Sequence, residues 1–331
     1  MKSISARGRH RSCAALLAGL ATILASPHDA VAQAFPNRPV RLIVPQSPGG
    51  STDVIARVVA QKMSDGLGQP VVVDNRPGAG SINGTEMVVH AAPDGHTLLA
   101  VAASFTINPA LHKRLPFDPI RDFTPVTQLA TLPHILIVHP SVPVKSVKEL
   151  IALALAKPGE LNYASSGIAT STHLAAELFM YMTRTRMVNV PFKGGAPAMV
   201  GMLSGQCQVN FATISTGIPH IRAGKMRALA VTTSKRSVAA PEFPTIAEAG
   251  VPGYEHASWV GLLAPAKVPQ PIVARLHAEA VKAAHAPDVK AMLLRDGLEA
   301  TGTTPAQYAT IIKTEVAKWI KVAKAAGITA Q

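Results

Sequence analysis

Four short turns rich in Gly, Ser and Thr stand out along this chain: Ser47 to Asp53 (SPGGSTD), Arg76 to Ser81 (RPGAGS), Ser165 to Thr172 (SSGIATST) and Phe192 to Ala196 (FKGGA). Each sits between an apolar run and a helix-like segment. The first N–H groups of a helix have no acceptor inside it, and the aligned peptide dipoles leave about half a positive charge there. Glycine lets a ligand come close to such a backbone, so this pattern suits the grip of an anion by main-chain amides.

Other chemistries leave little trace. Gly78, Gly80 and Gly84 imitate a dinucleotide fingerprint, but the third glycine is one position late and no suitable acidic residue follows about 20 positions on. A tight helix-start turn explains those glycines. No Gly-x-Ser-x-Gly elbow, His-Glu-x-x-His motif or clustered Cys/His set occurs, so the sequence carries no cofactor or metal signature. Ser165, Ser166 and His173 leave a serine hydrolase as an alternative; satisfied core or surface histidines are the plainer account.

The first 34 residues have the form of an export signal. Lys2, Arg7, Arg9 and Arg11 precede the apolar stretch Cys13 to Ala25, which is shorter than the ~20 residues of a spanning helix, and small-x-small sites end at Ala32 and Ala34. The protein is therefore expected in the periplasm. Cys13 leaves with the signal and Cys207 then stands alone, so no internal disulfide forms. Cys207 reads either as a nucleophile or as a small buried hydrophobe. The formal net charge is +13, yet aromatics are only 4% and no long Lys/Arg block or nucleic-acid motif is present. That combination excludes nucleic acid as a partner and favours small acidic ligands.

Strand, glycine turn and helix recur in the rhythm of a mostly parallel sheet. Strands are expected at Val40–Val44, Val71–Val73 and His96–Val101. A helix is expected from Ser51, with Val54, Ile55, Val58, Val59 and Met63 on one face and Gly66 at its end. A second set of strands is expected at His134–Val138, Leu161–Ala164, Val188–Val190, Gln208–Phe211 and Arg227–Thr232. Helices are expected at Pro271–Ala284, Asp288–Arg295 and Pro305–Lys324, the last burying a stripe of Tyr308, Ile311, Ile312, Val316, Trp319, Ile320 and Ala323, with Thr304 and Pro305 as its start signal. The reading is an α/β protein of two lobes, 35–130 plus 256–331 and 131–255, two βα sandwiches joined by a hinge crossed near Gln128–Pro133 and Tyr254–Trp259.

Several blocks in order resemble the Bug-type substrate-binding proteins of tripartite tricarboxylate transporters. They are FPNRPVRLIVP (35–45), PGGSTD (48–53), NRPGAG (75–80), APDG (92–95), LNYASSG (161–167), His173-Leu174, PFKGGAP (191–197), GKMRALAV (224–231) and WVGLLAP (259–265). The resemblance implies a periplasmic Venus-flytrap receptor, monomeric and not an enzyme. It would close over a small carboxylate and deliver it to a membrane permease of one large and one small subunit. A periplasmic sensor without transport is the alternative within the same fold.

Carried onto this chain, the resemblance implies first-lobe contacts at Pro48, Gly49, Gly50, Ser51 and Asp53, with Gly78, Ala79, Gly80 and Ser104 beside them. Second-lobe contacts are implied at Ser165, Ser166, Gly167, Thr170, His173, Lys193 and Gly194. Asp53 reads equally as a helix-start cap, and Lys193 as a solvated surface lysine or a charged donor to the carboxylate. Gln46-Ser47, Ile168-Ala169 and the pair Asn210 and Thr213 depart from the family pattern. The last pair stands where acidic residues are frequent, which disfavours an amino-bearing ligand, because an ammonium group needs a carboxylate partner.

Overall fold

The computed structural model describes residues 35–168 and 170–327. The expected export signal and Ala169 lie outside the described residues. Contacts set a short unit ending at Asn37 apart from a unit beginning at Arg38, and the latter holds every element below. In chain order these are β1 (Val40–Val44), α1 (Ser51–Leu67), β2 (Val71–Asn75), α2 (Ile82–Val89), β3 (Thr97–Ala102), α3 (Ser104–Leu111), β4 (Phe123–Val138), α4 (Val147–Ala156), β5 (Asn162–Ser165) and α5 (Ser171–Thr183). The chain continues through β6 (Val188–Pro191), α6 (Gly195–Leu203), β7 (Val209–Thr213), α7 (Ile214–Arg222), β8 (Arg227–Val231), β9 (Ala257–Pro265), α8 (Gln270–Ala284), α9 (Pro287–Arg295), β10 (Glu299–Ala300) and α10 (Pro305–Ala325).

The strands run in the order β2-β1-β3-β9-β4-β7-β5-β6. β1 pairs in parallel with β2 and β3, and β5 pairs in parallel with β6 and β7; β1, β2, β5 and β6 each lead through a glycine turn into a helix. Between these parallel sets the sheet is antiparallel, because β9 pairs with both β3 and β4, and β4 pairs with β7 and β8. The mostly parallel expectation therefore holds only toward the two edges. β9 itself lacked a period-2 signal: seven of its nine residues are buried, as happens when both faces of a strand are covered.

β4 ties the halves together. Its first part, Phe123 to Pro133, lies against β9, and its last part, His134 to Val138, lies against β7. At 16 residues it is roughly 50 Å long. Only its last five residues read as strand in the sequence, since Pro125 cannot donate to a ladder. Register shifts between Pro125 and Thr127 and between Gln128 and Ala130 accommodate the earlier stretch.

Helix ends follow their local chemistry. α10 starts with a capping box, in which Gln307 N donates to Thr304 Oγ1 at 3.2 Å and Thr304 N donates to Gln307 Oε1 at 2.9 Å, with Pro305 in the first turn. Ile320 is 46% exposed and does not join its stripe, while Val322 is buried. At 100° per residue Ile320 falls about 100° round from Tyr308, Ile312 and Trp319. α1 runs past Gly66 and ends at Gly68, whose left-handed φ of 70° lets its N–H reach Ser64 O at 3.0 Å. Val54 faces outward from this helix, whereas Thr52 and Asp53 are buried. Cys207 is a buried free thiol in an apolar cluster with Met199, Met202 and Ile218, and burial raises its pKa, so it packs as a hydrophobe.

Thr232 stitches β4 to the segment leading into β9. Its N–H donates to His134 O at 2.9 Å, and His256 N donates to Thr232 O at 2.8 Å. The rings of His134 and His256 lie 5.3 Å apart, fully buried, with Trp319 edge-on to His256. Burial lowers the His134 pKa to about 4 and lowers His256 well below the usual range, the latter helped by the charges of His134 and Lys318.

A histidine depressed in the native state contributes stability that is complete above its unfolded pKa of about 6.5 and is lost as pH falls toward about 4. Urea unfolding of wild type and His134→Phe from pH 7 to pH 4.5 should therefore show the wild type losing about 2 kcal/mol more than the variant. A pH-independent difference between the two would contradict the buried neutral imidazole. Titrations common to both proteins, such as that of Glu315, whose pKa burial raises, cancel in this comparison.

Candidate ligand-binding cleft

A cleft of about 540 Å³ opens where the starts of α1, α5, α6 and α7 meet the turn after α9. Gly49 and Ser51 border it from α1, Ser166 and Thr172 from the β5–α5 turn, Gly195 and Ala196 from α6, and Thr213, Ser215 and Thr216 from α7. No side chain caps any of these four helices. In α1 the ladder begins with Val54 N on Gly50 O, in α5 with Leu174 N on Thr170 O, and in α6 with Ala198 N on Gly194 O. The N–H groups ahead of those bonds therefore have no acceptor within their helices, and the positive ends of four dipoles face one space. Leu132, Ala198 and Leu298 give the wall an apolar side.

Of the contacts that the resemblance implied, Gly49, Ser51 and Ser166 line the cleft, and so do Asn210 and Thr213, the pair that departs from the family pattern. Pro48 and Gly50 are exposed in the same turn as Gly49. Asp53 is buried beneath that turn, where it accepts from Gly49 N at 2.9 Å, Asn75 Nδ2 at 2.9 Å and Arg57 Nε at 3.1 Å. Burial alone would raise its pKa, but these hydrogen bonds and the Arg57 charge outweigh it and hold the carboxylate below the usual range. Asp53 is thus the tie that shapes the PGG turn.

In the second turn group, Ser165 is buried and donates to Asn189 Oδ1 at 2.8 Å. Ser166 N donates to Thr172 Oγ1 at 2.8 Å, and Gly194 N to Ser166 O at 3.2 Å, so the β5 and β6 turns are knitted together. Thr170 Oγ1 donates to Gly167 O at 2.7 Å. His173 points into the core, stacked on Tyr163 and 3.4 Å from Glu177 Oε1. Lys193 is exposed, and neither it nor Gly167, Thr170 or Gly194 is among the residues lining the cleft. Gly78, Ala79 and Gly80 form an exposed left-handed turn off the cleft wall, and Ser104, which opens α3, is off it as well.

The sequence reading named Thr213 only as a departure from the family pattern and missed the rest of the α7 start and the α9 turn. Thr213-Ile214-Ser215-Thr216 carries no glycine, and its signal was the run of short hydroxyls: Thr213 Oγ1 lies 2.9 Å from Thr216 Oγ1 and 3.3 Å from Ser215 Oγ. Arg295 and Asp296 line the mouth and pair at 3.3 Å. Gly297 follows with φ +72°, so close to α7 that a Cβ there would lie 2.9 Å from Ser215 N. Only glycine tolerates both the backbone angle and the approach. Among the described residues no group of three or more His, Cys, Asp or Glu could hold a metal, and no helix is long and apolar enough to cross a membrane.

Residues 55–328 match the family model described as the tripartite tricarboxylate transporter family receptor. The chain belongs to this receptor family. Protein BugT of Bordetella pertussis is 35% identical over 298 residues, covering 89% of this chain and 91% of BugT. An R. palustris structure with adipate is 37% identical with a TM-score of 0.72, covering 90% of this chain and 100% of that one. MatC from Rhodopseudomonas palustris, with bound malate, is 33% identical with a TM-score of 0.68, covering 87% of this chain and 99% of MatC. As a Bug-type receptor the protein has the two-lobed fold of periplasmic binding proteins, and its cleft lies where β4 passes from one half of the sheet to the other.

Asp53→Ala leaves the Gly49 N–H without its acceptor and removes the carboxylate partner of Arg57, whose guanidinium keeps only Asn75 Oδ1. The expected outcome is a loss of about 1–3 kcal/mol in chemical denaturation at pH 7. The deficit narrows as pH falls below the carboxylate range, where the wild-type group protonates too. Unchanged stability at pH 7 would demote the network to surface decoration.

Proposed function

We propose that this receptor captures a small organic carboxylate between lobes 35–130 plus 256–331 and 131–255. The bound acid is then delivered from the periplasm to a membrane permease of one large and one small subunit. One observation carries the reading: four uncapped helix starts, from both halves of the molecule, border a single cleft. The acidic groups nearby are already compensated, Asp53 by Arg57 and Asp296 by Arg295, so the field that an entering anion meets is set by the backbone. The adipate and malate of the related structures are small dicarboxylates, in keeping with this choice.

Closure follows from where the contacts lie. An anion held only by α1 binds one lobe; one held also by α5, α6 or α7 stabilises the closed state by its differential contacts. The receptor acts as a monomer without cofactor and catalyses no reaction. Ser166 Oγ is engaged with the hydroxyls of Thr170 at 3.1 Å and Thr172 at 2.8 Å rather than with a base, and His173 is occupied in the core.

A thermal-shift series tests this directly. Mono-, di- and tricarboxylates, aromatic acids included, are compared with the neutral amides of the same acids. A ligand that binds only the native state adds about 2.7 kcal/mol at 100 times its dissociation constant. At least one acid is expected to raise Tm while its amide does not. Silence from every acid, or equal shifts from acids and amides, would contradict the proposal.

A further inference from the structure

Among the described residues lining the cleft, Arg295 and Asp296 are the two with charged side chains, and Arg295 is the one cation. Helical spacing brings it there. In α9, Val289 and Leu293 are buried, whereas Met292 and Arg295, three positions apart, share the face that borders the cleft. The turn that follows is fixed twice. Leu298 N donates to Leu293 O at 2.8 Å and Gly297 N to Leu294 O at 3.0 Å, the paired bonds of a Schellman motif, and Gly297 then packs against Ser215 N at the start of α7. Two Cα–Cα steps span at most about 7.6 Å, so the Arg295 backbone stays within that distance of the residue that touches α7. Arg295 meets Asp296 through Nε, in one contact of 3.3 Å to Oδ1 between exposed side chains, and its Nη1 and Nη2 groups have no partner among the described residues. A pair of that kind contributes little to stability. The free end of the guanidinium is the edge that takes a carboxylate with two parallel hydrogen bonds.

We propose that Arg295 is a specificity-determining residue that binds a second carboxylate of the ligand, so that the cleft selects dicarboxylates over monocarboxylates. The inference rests on the carboxylate-binding reading and deepens it. The uncapped helix starts offer N–H groups to one carboxylate. A second carboxylate on the same molecule would otherwise face water or the like charge of Asp296; Arg295 meets it, while Asp296 holds the guanidinium from its Nε side. The match is complementary, because an ionised carboxylate has only acceptor oxygens and a guanidinium has only donors. Arg295 also stands in the last turn of α9, where a cation is favourable in its own right. That structural role affects stability and is blind to how many charges a ligand carries.

Calorimetry with matched pairs provides the test: succinate, glutarate and adipate, each beside its own monomethyl ester, which keeps the chain and removes one charge. The wild-type protein is expected to bind the diacid of at least one pair about tenfold more tightly than the ester, or better. R295Q should lose that preference while binding the monoester as the wild type does. R295E places a like charge at the mouth and should bind the diacid more weakly than its ester. Melting curves establish that each variant is folded, and either variant decides the matter where the other is not. Equal affinities within every pair for the wild type, or a diacid preference that survives in R295Q or R295E, would overturn the role of Arg295 and leave carboxylate binding intact. Failure of every acid and ester to bind the wild type would overturn both.

Discussion

Peptide N–H groups at the start of a helix find no acceptor within it, and in this protein four such starts border one gap. In most helices a Ser, Thr or Asp side chain folds back to satisfy those donors. Here α4 and α10 are capped in that way, by Ser146 and Thr304, whereas α1, α5, α6 and α7 are not. α2, α3, α8 and α9 also start without a side-chain cap, so what sets α1, α5, α6 and α7 apart is that their uncapped starts border one cleft.

The framework keeps those starts in place with few residues. Asp53 collects the Gly49 amide, Asn75 and Arg57 into one knot under the first turn, and the Ser166–Thr172 and Gly194–Ser166 bonds do the same under the second pair. β4 passes through both parts of the sheet, and Thr232 fastens the returning segment to it at His134 and His256. Bending there would carry whole helix starts as rigid bodies, because each belongs to a packed half of the sheet. The small approach of Gly297 to Ser215 sets how near the α9 turn comes to α7.

Much of this was legible in the residues. Glycine turns after short strand-like runs marked α1 and α5, Thr304-Pro305 marked α10, and the ordered blocks from Phe35 to Pro265 pointed to the receptor family. Three kinds of feature were not legible. β9 and the first half of β4 are buried on both sides or interrupted by proline, so neither shows alternation. The α7 start presents hydroxyls in place of glycine, and Arg295 to Gly297 reach the cleft only through the packing of α9. His173 was expected as a contact from the family resemblance, but its position in the first turn of α5 faces Tyr163 and the core rather than the cleft. Spacing along a chain says which groups share a turn; which way that turn faces is decided by packing.

Amide resonances report on those donors one by one. In a nitrogen-15 NMR titration with an acid that binds, the signals of Ser51, Thr172, Gly195, Ala196, Ser215 and Thr216 are expected to shift together with a single dissociation constant, with residues of both lobes responding. Shifts confined to one lobe, or to exposed residues off the cleft such as Lys193, while the helix-start amides stay still, would contradict the account.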